Sequence, residues 1–200
     1  MTKNEIINSA LSLFILEGIK NTSMDEIAQK NNISKKTIYK YFSSKNDLVE
    51  NVLNFAVLQI ENGIFKIQKE AKNAVDEFRI YNFSIEEHFS EIIPDFFNDI
   101  DLICTDLKVH YAEKICEIIQ LFLRKNIERG IEENMYFKDC NLELIVNSYV
   151  NIYRLVLIEK FNKTTETINS ILFLNELLNH SINNNQDITN KNLLLPIFQK

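Results

Sequence analysis

Three glycines and two prolines in 200 residues leave this chain little with which to turn. Sheet folds built of many short strands need a turn roughly every 8–12 residues, and those turns draw on the residues that are scarce here. Long helices with few connections are what such a sequence can build. The expectation is an all-α chain.

Apolar spacing supports this. Ile6, Ile7, Ala10, Leu11 and Phe14 recur at three- and four-residue steps, placing a first helix over about residues 3–17, with Gly18 where a helix end favours a left-handed residue. Ser23 and Glu26 have the spacing of a capping box, so a second helix begins at Met24. Asn31 or Asn32 supplies the tight turn after it. Ser34 caps a third helix of about seven residues. A fourth starts after Ser43 or Ser44 and runs from Lys45 to about Lys72. Further on, Ser84 and Glu87 form a second capping-box pattern, and Pro94 breaks or kinks the helix it opens. Long helical patterns then cover about 107–133, 142–161 and 166–182.

Charge is unevenly spread. The formal net charge is −6, yet between Glu26 and Asp47 there are five lysines and no acid. From Asp76 to Asp106 the balance reverses, with nine acids against one arginine, which reads as a solvated face. On a wheel of 100° per residue, Ile38 and Phe42 turn to the core side of the third helix. Lys36, Thr37 and Lys40 fall on the opposite side, with Tyr39 and Tyr41 on its flanks. Lysine donates to guanine O6 and N7, and threonine bonds a base edge or touches a thymine methyl. The tyrosine hydroxyls suit phosphates on either wall of a groove. Ser34 and Lys35 at the start of the third helix, Lys45 at the start of the fourth and Ser23 at the start of the second complete the candidate DNA-binding set. The competing reading is an ordinary solvated lysine face.

Other chemistry is poorly represented. Cys104, Cys116 and Cys140 are odd in number and form no CxxC pair, which speaks against a disulfide framework or a zinc site and for a reducing compartment. His88, His110 and His180 have no metal spacing, and there is no glycine-rich phosphate loop or nucleophile motif. Neither an enzyme nor a cofactor is expected. The N-terminus lacks the pattern of a signal peptide, and no apolar run approaches the roughly 18 residues a membrane span requires. The expectation is a cytoplasmic protein without a membrane partner.

The stretch Ser23–Leu48, SMDEIAQKNNISKKTIYKYFSSKNDL, resembles the signature of the TetR family of transcriptional regulators. Ile27-Ala28, Ile33-Ser34, Thr37-Ile38-Tyr39, Phe42 and Lys45 carry the resemblance, which spans about residues 3–55. It continues more faintly in ERGIEENMYF. Asn32 and Asn134 stand where glycines are frequent, and both tolerate positive φ. The resemblance implies an all-α chain with an N-terminal three-helix, helix-turn-helix DNA-binding head over residues 1–47 and a larger helical regulatory, ligand-binding and dimerisation body over 48–200. It implies a homodimer on double-stranded DNA, built from the last two long helices, and release by a small-molecule effector that binds the body. A DNA-organising protein or activator without an effector is the alternative.

The body is consistent with both implied sites. The helix over 142–161 is apolar on almost every side, which calls for burial against both a core and a partner. Its polar stripe, Asn147, Asn151 and Arg154, serves either the dimer or a ligand, with the dimer preferred; Ile158, Ile171, Leu174 and Leu178 join it as candidate interface residues. Phe89, Phe96, Phe97, His110, Tyr111, Phe122, Tyr149 and Tyr153 are the candidate pocket residues, each weighed against a plain core or, for His110, a surface role.

Overall fold

The computed structural model describes residues 2–84, 99–100, 104–158, 175 and 178. The protein is all-α, and no β-strand is present among the described residues. Helices α1 (Lys3–Glu17), α2 (Met24–Lys30) and α3 (Lys35–Tyr41) form the head. Helix α4 (Lys45–Glu70) leads out of it, α5 is described over residues 74–84, and α6 (Thr105–Glu132) and α7 (Leu142–Ile158) form the body.

Local capping sets the helix starts in the head. Thr2 and Ser23 each make a full capping box, with Glu5 and Glu26 respectively. Ser44, rather than Ser43, caps α4 and accepts from Asp47 N at 3.1 Å. Each such cap is worth about 1 kcal/mol against alanine. The apolar faces these helices present close one small core. Ile6, Ala10 and Phe14 of α1 meet Ile27 of α2, Ile38 of α3, Phe42 at the end of α3 and Leu48 of α4, all essentially inaccessible to water. Removing a side chain of this size from water contributes roughly 1.5–3 kcal/mol. Leu13, not Leu11, supplies the fully buried leucine of α1.

Helix α5 differs from the sequence expectation. Ser84 lies within a helix and does not begin one. The start is set by Asn73, whose Oδ1 accepts from Asp76 N at 2.8 Å, while Asp76 Oδ2 accepts from Lys72 N at 3.1 Å. Ala74, Phe78 and Tyr81 then recur on one buried face. The acidic run is also not uniformly solvated. Glu77 is only 2% exposed and accepts from Arg129 Nη1 at 2.6 Å.

In the body, α6 packs chiefly on α7 and on α4. Its C-terminal half is locked to α5. Asn126 Nδ2 donates to Ala74 O at 2.8 Å, and the Tyr136 hydroxyl donates to Ala74 O and lies 3.2 Å from Asn126 Oδ1. Gly130 makes this fit possible, since a Cβ there would sit 2.0 Å from the Tyr136 ring. Asn134, at φ 57, ends the helix in the left-handed conformation.

A long-range hydrogen bond also ties the body to the head. Asp99 Oδ2 accepts from Ile19 N at 2.6 Å, just past the Gly18 cap of α1. Ile100 beside it is fully buried.

Candidate nucleic-acid interface

The turn between α2 and α3 is made by Asn32 at φ 54. Asn31 stays near-helical at φ −93 and its side chain donates to Ile27 O at 2.6 Å. Asn32 N bonds Gln29 O and Ile33 N bonds Ala28 O, both at 3.0 Å, so the turn leaves α2 well closed. Ser34 then caps α3, accepting from Thr37 N at 3.1 Å, and its hydroxyl also bonds the Thr37 hydroxyl at 2.8 Å.

These bonds fix how α3 is presented. With Ile38 and Phe42 buried, Lys36 and Lys40 lie exposed on the outer side, and Thr37 is half-buried beside the cap. Tyr39 and Tyr41 are 44% and 40% exposed, large values for phenol rings that could have packed inward. Lys35 is oriented by Asp25 of α2, with Nζ 2.8 Å from Oδ2. The bond to Asp25 and its charge hold the Lys35 ammonium above its ordinary range. Both partners are exposed, and such a pair adds little stability. Its effect is to turn Lys35 toward α2 and away from Lys36.

Lys45 begins α4 and reaches back to Lys20 O at 3.4 Å, bridging α4 to the end of α1. Ser23 is exposed and accepts from Glu26 N, which leaves its O–H able to donate outward. The Ser23 backbone and hydroxyl bonds hold the Glu26 carboxyl below its ordinary range, so this acid is occupied at the cap. Asp47 is occupied in the same way by the Ser43 backbone and hydroxyl, which lower it. Ser23, Ser34, Lys35, Lys36, Thr37, Tyr39, Lys40, Tyr41 and Lys45 thus belong to three consecutive helix starts and one exposed helix edge. The nearest acids are tied to caps or to Lys35. Sequence reading did not find the Asp25–Lys35 pair or the Asp99 tie, because both depend on helices meeting in space.

The candidate body residues distribute differently. Tyr111, Phe122, Tyr149 and Tyr153 are buried. The Tyr111 hydroxyl bonds Glu50 O in α4 at 3.3 Å, and burial pushes its pKa up to about 12. His110 is exposed and lies edge-on to Tyr111, so it is not turned into the body. Phe89, Phe96 and Phe97 lie outside the described residues. The polar stripe of α7 is engaged with α6: Arg154 makes two bonds to Glu113, at 2.8 and 3.0 Å, and Asn147 Oδ1 accepts from Gln120 at 3.4 Å. Asn151 accepts from Arg154 at 2.6 Å. Ile158 is half-buried, Leu178 is buried, and Ile171 and Leu174 lie outside the described residues. Burial pushes the Cys116 thiol up to about 11, which keeps it protonated and weakly nucleophilic at neutral pH. Among the described residues no cluster of three or more His, Cys, Asp or Glu is placed to hold a metal, and no helix is long and apolar enough to cross a membrane.

Comparison with known proteins agrees with this arrangement. The signature described as "Bacterial regulatory proteins, tetR family" matches residues 6–52, which spans α1 to the first turns of α4. The biofilm operon icaADBC HTH-type negative transcriptional regulator IcaR of Staphylococcus aureus (strain Newman) is 31% identical over 84 residues, 42% of this chain and 44% of that regulator. The matched part therefore spans less than half the length of that relative. An uncharacterized HTH-type transcriptional regulator, YvkB of Bacillus subtilis, is 28% identical over 138 residues, 65% of this chain and 70% of the other. Among solved structures, a transcriptional regulator from Cytophaga hutchinsonii superposes with a TM-score of 0.71 at 20% identity, covering 90% of this chain and 97% of that one. Reduced NemR of Escherichia coli gives 0.70 at 12% identity, covering 90% and 95%. At these identities the structures speak to the fold alone. Residues 6–52 thus carry the signature of the tetR family of bacterial regulatory proteins, and the fold shared with solved regulators extends along nine-tenths of the chain.

Proposed function

We propose that this protein is a cytoplasmic, DNA-binding transcriptional repressor. Residues 1–47 form the reading head and 48–200 the regulatory and dimerisation body. The carrying observation is the outer edge of α3, where Lys36 and Lys40 stand exposed on a helix whose Ile38 is fully buried. Lys36, Thr37 and Lys40 contact base edges in the major groove, with Ser34 and Lys35 at the helix start. Ser23, Tyr39, Tyr41 and Lys45 contact phosphates and set register. An acidic protein of net charge −6 meets a polyanion only where its cations are gathered, and no other segment gathers them.

The working unit is a homodimer on a near-palindromic operator. Leu144, Ile152 and Leu155 of α7 are 62%, 40% and 50% exposed, and Leu121 of α6 is 54% exposed. Apolar side chains of this size on the last described helices favour burial by a second copy across a two-fold axis. The repressor reading draws on the relative named a negative transcriptional regulator. A small-molecule effector that binds the body releases the operator by favouring a shape whose heads no longer span both half-sites, with a coupling of roughly 1–3 kcal/mol.

The test is selection of genomic fragments by the purified protein, followed by affinity measurement on the selected sequence at several salt concentrations. A two-fold symmetric motif and a steep fall in affinity with salt are expected. An asymmetric motif, or binding indifferent to salt, refutes the proposal.

A further inference from the structure

Three acids of the head, Glu5, Glu26 and Asp47, accept backbone N–H groups at helix starts. Asp25 is used differently. It stands in the first turn of α2, and its Oδ2 accepts from Lys35 Nζ at 2.8 Å across the turn of the helix-turn-helix. An acid near a helix N-terminus is favourable in itself, but Glu26 already fills that role in α2 through a full capping box. The pairing of Asp25 with a lysine of the reading helix needs another account.

The two side chains are 60% and 62% exposed, so the pair adds little to stability. Its consequence lies in what it presents to a duplex. Lys35 is the first residue of α3, one turn before Tyr39, whose hydroxyl also acts on the ammonium electrostatically. Lys36 and Lys40 stand exposed on the outer side of the same helix. An approaching duplex therefore meets those cations and, beside them, a pair whose charges cancel. Phosphate oxygens only accept hydrogen bonds, and a carboxylate repels them. Base edges carry donors as well as acceptors. A base edge can use both the remaining N–H groups of Lys35 and the second oxygen of Asp25, whereas a phosphate gains nothing net from the pair.

This asymmetry bears on specificity, which is a difference of affinities and is gained as much by a repulsive element as by an attractive one. Complexes with the wrong sequence are held by phosphates, and the right sequence is read at base edges. An acid beside the reading helix weakens the first kind of complex more than the second.

We propose that Asp25 is a positioning residue for specificity: it withholds the Lys35 ammonium from phosphates and repels the DNA backbone from that corner of the head, so that duplexes of the wrong sequence are penalised more than the operator. The inference rests on the DNA-binding reading above and deepens it.

The experiment compares the full-length wild type, Asp25→Asn, Asp25→Glu and the double variant Asp25→Asn/Lys35→Met. Each is titrated with the operator recovered by selection and with a mixed-sequence duplex of equal length, between about 50 and 200 mM salt. Asp25→Asn is expected to bind the mixed-sequence duplex about five- to tenfold more tightly near 0.1 M salt, with the slope of log K against log salt steeper by about 0.9 per head. The ratio of operator to mixed-sequence affinity is expected to fall about fivefold. Asp25→Glu keeps the charge and should keep the wild-type ratio. The double variant should return to the wild-type slope, which a merely structural role for Asp25 would not produce. An unchanged or weaker mixed-sequence affinity in Asp25→Asn, an unchanged ratio, or a steepened slope that survives in the double variant overturns the proposal. Wild-type protein that binds no duplex even at the lowest salt refutes the DNA-binding reading and this inference with it. Wild-type binding that the Asp25 variants leave untouched refutes this inference alone.

Discussion

Gly18 is the position where one methyl group should do the most damage to the junction of head and body. Its backbone sits at φ 84, ψ 149, a region that side-chain-bearing residues avoid. An added Cβ would also stand 2.8 Å from Asp99 Oδ2, the atom that accepts from Ile19 N at 2.6 Å. Gly18→Ala therefore carries two costs: about 1–3 kcal/mol for the backbone, and about 1.5–3 kcal/mol for a charged hydrogen bond pushed out of reach. Asp99→Ala carries only the second. Because both changes remove the same bond, the double variant should be no less stable than Gly18→Ala alone. The coupling energy should then equal the whole cost of Asp99→Ala, about 1.5–3 kcal/mol. Urea unfolding of the four proteins at one protomer concentration measures this, the concentration being held because association shifts apparent stability. In thermal melts a loss of about 3 kcal/mol should appear as a fall of roughly 6–12 °C. Strictly additive losses would refute the reasoning, since they would mean that the Gly18 methyl leaves the Asp99 bond intact.

Other outcomes follow from the same geometry. Lys36→Ala and Lys40→Ala should flatten base preference in a competition assay, while Lys45→Ala should weaken all sequences alike and reduce the salt slope by about 0.9 per lost phosphate contact. Tyr136→Phe removes the bonds to Ala74 O and Asn126 Oδ1 and leaves both acceptors buried, so urea unfolding should register a loss of about 1–3 kcal/mol. Gly130→Ala drives a Cβ to within 2.0 Å of the Tyr136 ring, and a loss of about 1–3 kcal/mol or more is expected in the same assay. Asp47 is held below its unfolded value of 3.8 by the Ser43 bonds, and Asp76 below 3.8 by Arg79 and the Lys72 N–H. For Glu133, burial pushes upward, but the Ala74 N–H and Arg129 bring it net below 4.5. A depressed carboxylate stabilises fully above its unfolded value and loses that contribution as pH falls through the folded one. Melting temperature should therefore decline as pH drops below about 4.5, and Glu133→Gln should shrink that decline.

The head could be read from sequence because each of its decisions is made within a few residues. Ser23, Ser34 and Ser44 each stand three positions before the amide they cap. Asn32 turns the chain through its own φ, and Ile38 declares its inward face by its spacing from Phe42. The body decides over longer distances. Asn73 and Asp76 have the same spacing as Ser23 and Glu26, but so do Ser84 and Glu87, and nothing inside that window says which pair starts a helix. Burial of Ala74, Phe78 and Tyr81 decides it, and those residues are buried by α6 and its following turn. Glu77 looked like one acid among many on a wet surface, and its partner Arg129 is 52 residues away. The polar stripe of α7 was visible as a stripe, yet that Arg154 would turn to Glu113, 41 residues earlier, depends on how α6 and α7 are set against each other. The head is written in the local code of caps and turns, the body in pairings that exist only once long-range packing is complete, and a single sequence exposes the first well before the second.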